Sequence, residues 1–218
     1  MNFRVVFVVI LGLACAKWSA GQTINLMDTL GVVFRNEPKL QFTWDSRNSF
    51  INGNGASIFG IKLGAAFGES LDIGLGYNWL YNDVNTAIPI NESGKTAQAQ
   101  LVFRYVAPYF NYSFYHNRKW LVSIPVQLGV GMTRQQYVNE VGQKVKIHQG
   151  WVMLYEPAMV LEYQVLPFIG IGGGVGYRLM LKNNRQIDQT FTAPIYKLNF
   201  NVKFGVLYQQ IQERGWLR

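Results

Sequence analysis

Pro194-Ile-Tyr-Lys-Leu-Asn-Phe-Asn-Val-Lys-Phe-Gly-Val-Leu-Tyr208 is the stretch from which the fold of this chain can be read. Tyr196, Leu198, Phe200, Val202, Phe204, Val206 and Tyr208 form one apolar series. Ile195, Lys197, Asn199, Asn201, Lys203, Gly205 and Leu207 form a second, mostly polar one. Successive strand residues point to opposite faces, so the segment reads as a period-2 strand with tyrosine at both ends of its apolar side. At about 3.3 Å per residue and a tilt of about 45°, Tyr196 to Tyr208 covers roughly 30 Å, the thickness of a bilayer core.

The same alternation is found seven times upstream. Leu40–Arg47 sets Leu40, Phe42 and Trp44 against Gln41, Thr43, Asp45 and Arg47. Ile58–Phe67 sets Phe59, Ile61, Leu63, Ala65 and Phe67 against Gly60, Lys62, Gly64 and Ala66. In Leu71–Tyr81 the polar side is Asp72, Gly74, Gly76 and Asn78. Thr96–Phe110 reads with Leu101, Phe103, Tyr105 and Tyr109 outward, and with Gln98, Gln100 and Arg104 inward. Trp120–Thr133 opposes Val122, Ile124, Val126, Leu128 and Val130 to Ser123, Gln127, Gly129 and Gly131. A sixth strand puts Trp151, Met153, Tyr155, Met159, Leu161 and Tyr163 opposite Glu156 and Glu162. Phe168–Leu181 alternates Ile169, Ile171, Val175, Tyr177 and Leu179 with Gly170, Gly172, Gly174, Gly176 and Arg178.

Eight strands with alternately long and short connections describe an all-β, antiparallel, up-and-down barrel. The long connections are 48–57, 82–95, 134–146 and 182–193. The short ones are Gly68-Glu69-Ser70 and Leu166-Pro167, with a middling one around His116-Asn117-Arg118. With both chain ends on the periplasmic side, every long connection falls outside. Pro108, Pro125 and Pro157 interrupt three adjacent strands, each removing a ladder hydrogen bond, so bulges or a bend are expected there.

Composition points the same way. Of 218 residues, 15% are charged and 15% aromatic, where about 25% charged is usual in soluble proteins. The net charge of +8 is scattered singly rather than gathered in runs, which argues against a nucleic-acid partner. The N-terminus reads as a signal peptide over 1–21: Arg4, the apolar run Val5–Ala14, and Ser19-Ala20-Gly21 before the cut. Leu13-Ala14-Cys15 only loosely resembles a lipobox, and with Cys15 removed the mature chain has no disulfide framework. Residues 22–39 form an N-terminal periplasmic segment, 40–208 the barrel, and 209–218 a periplasmic tail. No later apolar run approaches the roughly 20 residues of a membrane helix, so a membrane location demands a closed barrel. A soluble barrel of the lipocalin type would turn the apolar face inward. The aromatic strand ends and a polar face of Gly, Asn and Gln with few charges oppose it.

With signal, strands and loop alternation in place, the mature chain resembles the small outer-membrane β-barrel proteins of Gram-negative bacteria. It is similar in particular to the outer-membrane β-barrel domain family that includes PorT-like proteins, through Asp45-Ser46-Arg47-Asn48-Ser49-Phe50-Ile51-Asn52-Gly53 at the first hairpin. The resemblance implies a location in the bacterial outer membrane and a barrel fold. It implies as partners the outer-membrane lipids, lipopolysaccharide and the insertion machinery. Some PorT-type relatives are subunits of a secretion or export assembly, which would bring protein partners to the loops or the periplasmic ends.

By parity the lumen collects Asp45, Arg47, Lys62, Asp72, Arg104, Glu156, Glu162, Arg178, Lys197 and Lys203. Charges in so narrow a space should pair, because an unpaired buried charge costs several kcal/mol, and eight strands leave room for little but side chains. The glycine column 170–176 should make room for large neighbours such as Arg104 or Lys197. Trp44, Trp79, Trp120, Trp151, Tyr196 and Tyr208 are the expected aromatic girdle. No catalytic, metal or cofactor residues are expected. His116 and His148 lie at opposite ends, and His148, facing inward, would need Ser57 or Glu140 to act on lipid. A narrow solute channel is the remaining alternative to a filled structural interior.

Overall fold

The computed structural model describes residues 31, 34–51, 54–89, 96–138, 142–183 and 191–213. The expected signal peptide, 1–21, and most of the segment 22–39 lie outside the described residues. The chain divides after Arg35, and all the elements below belong to Asn36–Arg218.

Nine strands follow in order: β1 Pro38–Ile51, β2 Asn54–Phe67, β3 Leu71–Leu80, β4 Asn85–Pro89, β5 Thr96–His116, β6 Trp120–Val138, β7 Lys144–Leu166, β8 Ile169–Lys182 and β9 Ala193–Lys203. A helix, α1 Phe204–Glu213, ends the described chain. Every pairing is antiparallel; β1 pairs with β9 and β3 with β5, so eight strands close into a ring. The ninth strand, β4, is a short arm laid along the outer part of β5. Closure leaves no edge within the ring, so every ring strand has a neighbour on both sides.

The ring is strongly sheared. From Trp151 the paired residues run through Met132, Arg104, Trp79, Phe59, Ser46, Leu198 and Gly173, and return to β7 at Leu161, ten residues along. Such a stagger requires strands inclined to the barrel axis and sets how far each one crosses the membrane. Outward residues along the wall are apolar and exposed, among them Leu63, Leu75, Val130, Leu161, Ile171 and Leu198. Facing water, such a continuous surface would be costly; against lipid it is the expected wall.

Several expectations are corrected. The connection 48–57 is mostly strand, with Ile51 paired to Asn54. Much of 134–146 is also strand, since β6 runs to Val138 and β7 starts at Lys144. The turn near His116 is short, because Asn117 Oδ1 accepts from the backbone N–H groups of Lys119 and Trp120 at 2.9 and 2.8 Å. Gly68 completes the β2–β3 turn with φ +62°, a conformation that favours glycine. The prolines break individual rungs without moving the register. The shifts fall elsewhere, at Ser113/Tyr115, Gln135/Gln136, Met153/Leu154 and Gln164/Leu166.

The last strand stops at Lys203 instead of reaching Tyr208. The β8 side of the ladder ends at Ile169↔Val202, and β9 makes no rung with β1 beyond Gln41↔Lys203, although β1 itself continues back to Pro38. Backbone groups past that point are satisfied internally by turning into α1, and Phe204, Leu207, Tyr208 and Ile211 fit a helical stripe as well as an alternation.

Candidate functional site: the barrel interior

Asp45 and Arg47 are adjacent inward positions of β1 and are essentially without solvent, at 0% and 1% exposure. Arg47 Nη2 donates to Asp45 Oδ1 at 2.8 Å and to Asn78 Oδ1 at 2.5 Å, while Nη1 donates to Tyr105 Oη and Glu156 Oε2, both at 2.6 Å. Asp45 Oδ2 lies 2.9 Å from Lys62 Nζ and 3.2 Å from Lys197 Nζ. Glu156 takes Arg178 Nε at 2.5 Å and also accepts from Gln127 Nε2. The groups come from β1, β2, β3, β5, β6, β7, β8 and β9, so every strand of the ring contributes. The guanidinium of Arg47 is the hub: planar, always charged, and able to bridge two carboxylates.

Gly60 stands opposite Asp45, and a Cβ there would meet Asp45, Asn78 and Arg47. The glycine is what lets the network pass close to the β2 backbone. Gly170 and Gly172 serve Glu162 and Asn199 in the same way, and do not make room for Arg104 or Lys197.

Toward the outer end the interior turns apolar. Ile51, Ile58, Val84, Leu101, Phe103, Val152, Leu154 and Phe191 form one buried cluster. Phe103 packs against Phe191 at 5.3 Å and turns its ring face to the Arg178 guanidinium at 5.9 Å, marking where charge meets hydrocarbon. Toward the periplasmic end lies a second polar group. Asp72 Oδ2 accepts from Asn111 at 2.9 Å and Gln41 at 3.4 Å; Glu162 accepts from Gln164 at 2.6 Å and Asn199 at 3.1 Å. The interior therefore has three storeys, and only the inner two are polar. The voids within them measure about 30, 10 and 20 Å³.

Of the residues expected in the lumen, Asp45, Arg47, Lys62, Asp72, Glu156, Glu162, Arg178, Lys197 and Lys203 line it. Arg104 does not. It is exposed on the outer wall, paired across to Trp79 and Met132. The reversal covers all of β5: Leu101, Phe103, Tyr105 and Tyr109 face inward. Val102, Val106 and Phe110 on one face rival Leu101, Phe103 and Tyr109 on the other; the face that packs inward is the one that supplies the outer apolar storey and the Tyr105 hydroxyl to Arg47. Tyr105 thereby joins the lumen network, which the sequence pattern did not indicate. Asn78, Gln127, Asn199 and Asn201 belong to polar faces already legible in the sequence.

The girdle also needs revision. Trp79, Trp151 and Tyr196 stand toward the outer ends of their strands, and Trp120 at the periplasmic end packs edge-on against Tyr163 at 4.9 Å. Trp44 is at mid-strand, opposite Ile61 and Phe200, within the wall. Tyr208 is on α1. His116 Nδ1 lies 2.5 Å from Glu69 Oε2 at the periplasmic rim. His148 pairs with Gln135 on the outer hairpin, Ser57 Oγ donates instead to Asn48 at 2.8 Å, and Glu140 lies outside the described residues.

A closed ring, an apolar wall, a polar lumen and short turns on the side of the chain ends define an integral outer-membrane β-barrel. No protein-family model and no curated protein sequence matches the chain. Among solved structures it is similar to Neisserial surface protein A, at 12% identity, over 76% of this chain and 96% of that one, with TM-score 0.49. It is also similar to Ail, the attachment invasion locus protein of Yersinia pestis, at 15% identity, over 77% and 97%, with TM-score 0.43. A third similarity is to a major outer membrane protein from Thermus thermophilus, at 9% identity, over 75% and 98%, with TM-score 0.45.

Proposed function

We propose that this barrel is a non-enzymatic, non-conducting outer-membrane protein with a structural or interaction role. The observation that carries the reading is the outer apolar storey set above the Arg47–Glu156 network. The three voids described in the two inner storeys measure about 30, 10 and 20 Å³, each with room for a water molecule and little more. An interaction role is supported by β5, β6 and β7, which continue beyond the end of the β1–β2 hairpin as a projecting sheet edged by β4. Its partners are protein surfaces met by that sheet or by the periplasmic end, within outer-membrane lipid and lipopolysaccharide. A PorT-like relation, suggested by the sequence Asp45–Gly53, would add an export assembly to these partners. Planar bilayers are the test. The purified barrel is expected to give no conductance steps, and reproducible unitary steps would defeat the reading. Native sizing of the protein extracted in mild detergent separates a stand-alone barrel from a subunit of a larger export assembly.

A further inference from the structure

The periplasmic mouth opens into a cavity of about 590 Å³, of a size that suits a small ligand. Its rim is basic. Lys39, Arg118 and Lys119 line it, while the acid Glu69 is engaged by His116. Directly beneath, sharing Gln41, Glu69 and Lys203 with the mouth, lies a void of about 20 Å³. Its walls are of the opposite character, with the carboxylates of Asp72 and Glu162 countered by Lys203. The amides around them spend their N–H groups on the carboxylates, as Gln41 and Asn111 do on Asp72. That leaves Gln41 Oε1 and Asn111 Oδ1 buried without a donor. Gln41 is only 3% exposed and lines both spaces.

A water-sized space whose wall sets two carboxylates and two undonated amide oxygens against one cation, Lys203, has acceptors to spare; it calls for a small group with several N–H donors, and a primary ammonium has three. A basic rim just above it calls for an anion. We propose that the periplasmic mouth binds a zwitterion, with its primary ammonium in the void among Gln41, Asp72, Asn111 and Glu162, and its anionic group at Lys39, Arg118 and Lys119. Two sources carry this chemistry: the headgroup of an ethanolamine phospholipid in the inner leaflet, and a soluble amino phosphate or amino acid of the periplasm. The site goes beyond the structural role proposed above and stands whether or not the barrel conducts.

The test is an amide-shift titration of the whole protein in nanodiscs of phosphatidylcholine, using O-phosphoethanolamine, phosphocholine and inorganic phosphate as probes. O-phosphoethanolamine is expected to shift the side-chain amides of Gln41 and Asn111 and to bind at least tenfold more tightly than phosphocholine, whose methylated nitrogen has no N–H and does not fit. Glu162→Gln and Asp72→Asn should each abolish that preference while leaving phosphate binding in place. The heat-dependent gel mobility of the folded barrel shows which variants remain usable, and Glu162→Gln alone suffices if Asp72→Asn does not fold. Exchanging the nanodisc lipid for phosphatidylethanolamine without added probe distinguishes the sources. Shifts of the same amides identify the lipid, and shifts with the soluble probe alone identify the soluble zwitterion. Equal affinity for phosphocholine or inorganic phosphate, or no binding of any probe, overturns the proposal.

Discussion

Tyr105 stands between Arg47 and Glu156, accepting from Arg47 Nη1 at 2.6 Å and donating to Glu156 Oε2 at 3.1 Å. A single hydroxyl thus ties β5 to the β1–β7 ion pair across the lumen. Phenylalanine would keep the ring and lose both bonds. Tyr105→Phe is expected to cost about 1–3 kcal/mol in urea unfolding from micelles, since it leaves buried polar partners short of one bond each. Glu156→Ala takes from Arg178 its carboxylate and from Arg47 one of its two, and should cost about 3–5 kcal/mol or prevent folding. Equal stability of the two variants would deny Glu156 its central place.

The orientation of β5 can be tested with two neighbouring residues. Arg104 on the outer wall should accept leucine with a stability change within about 0.5 kcal/mol, because no lumenal partner is lost. Phe103→Ala removes a fully buried ring from the outer storey and should cost about 3–5 kcal/mol. The opposite ranking in urea unfolding would restore the inverted face.

Gly60 and Gly55 sit in the same strand in different surroundings. A methyl at Gly60 would press on Asp45 and Asn78 and come 2.8 Å from Arg47 Nη2, whereas one at Gly55 meets nothing within 4 Å. Gly60→Ala is expected to lower stability by about 1–3 kcal/mol, and Gly55→Ala to change it by less than about 0.5 kcal/mol. Thermal unfolding of the two variants side by side checks the difference.

The closed lumen makes a prediction about leakage. Phe103→Ala combined with Phe191→Ala thins the outer storey but leaves Arg47, Glu156 and Arg178 in place beneath it. That double variant should remain silent in planar bilayers. Conductance from it would show that the apolar storey alone holds the barrel shut.

The strands that alternate one apolar face with glycine and polar residues were legible directly, as β2, β3 and β8 show. Their residues can face only one way between lipid and lumen. β5 was not, because Val102, Val106 and Phe110 on one side rival Leu101, Phe103 and Tyr109 on the other. Its orientation depends on what the other strands place inside. Likewise Phe204–Tyr208 satisfies both a strand and a helix period, and where β9 gives way to α1 coincides with the start of β8 at Ile169, which no local pattern states. The charged lumen was readable as a set of residues, but its pairings required the register. The Asp72–Glu162 group and the periplasmic mouth beside it involve amides whose partners are far apart in sequence.

The join between β1 and β9 is where the first and last strands meet, and it has a clasp at one end. Lys39 Nζ donates to Gln209 Oε1 at 2.9 Å, across a gap of 170 residues, tying α1 to the start of β1. A barrel peeled open strand by strand has a weak end and a strong end, and here the periplasmic end of the seam is fastened from outside the ladder. Force applied at Asn36 and Glu213, on either side of the seam, would load that clasp before the first rung, so the zipper resists being started from its periplasmic side.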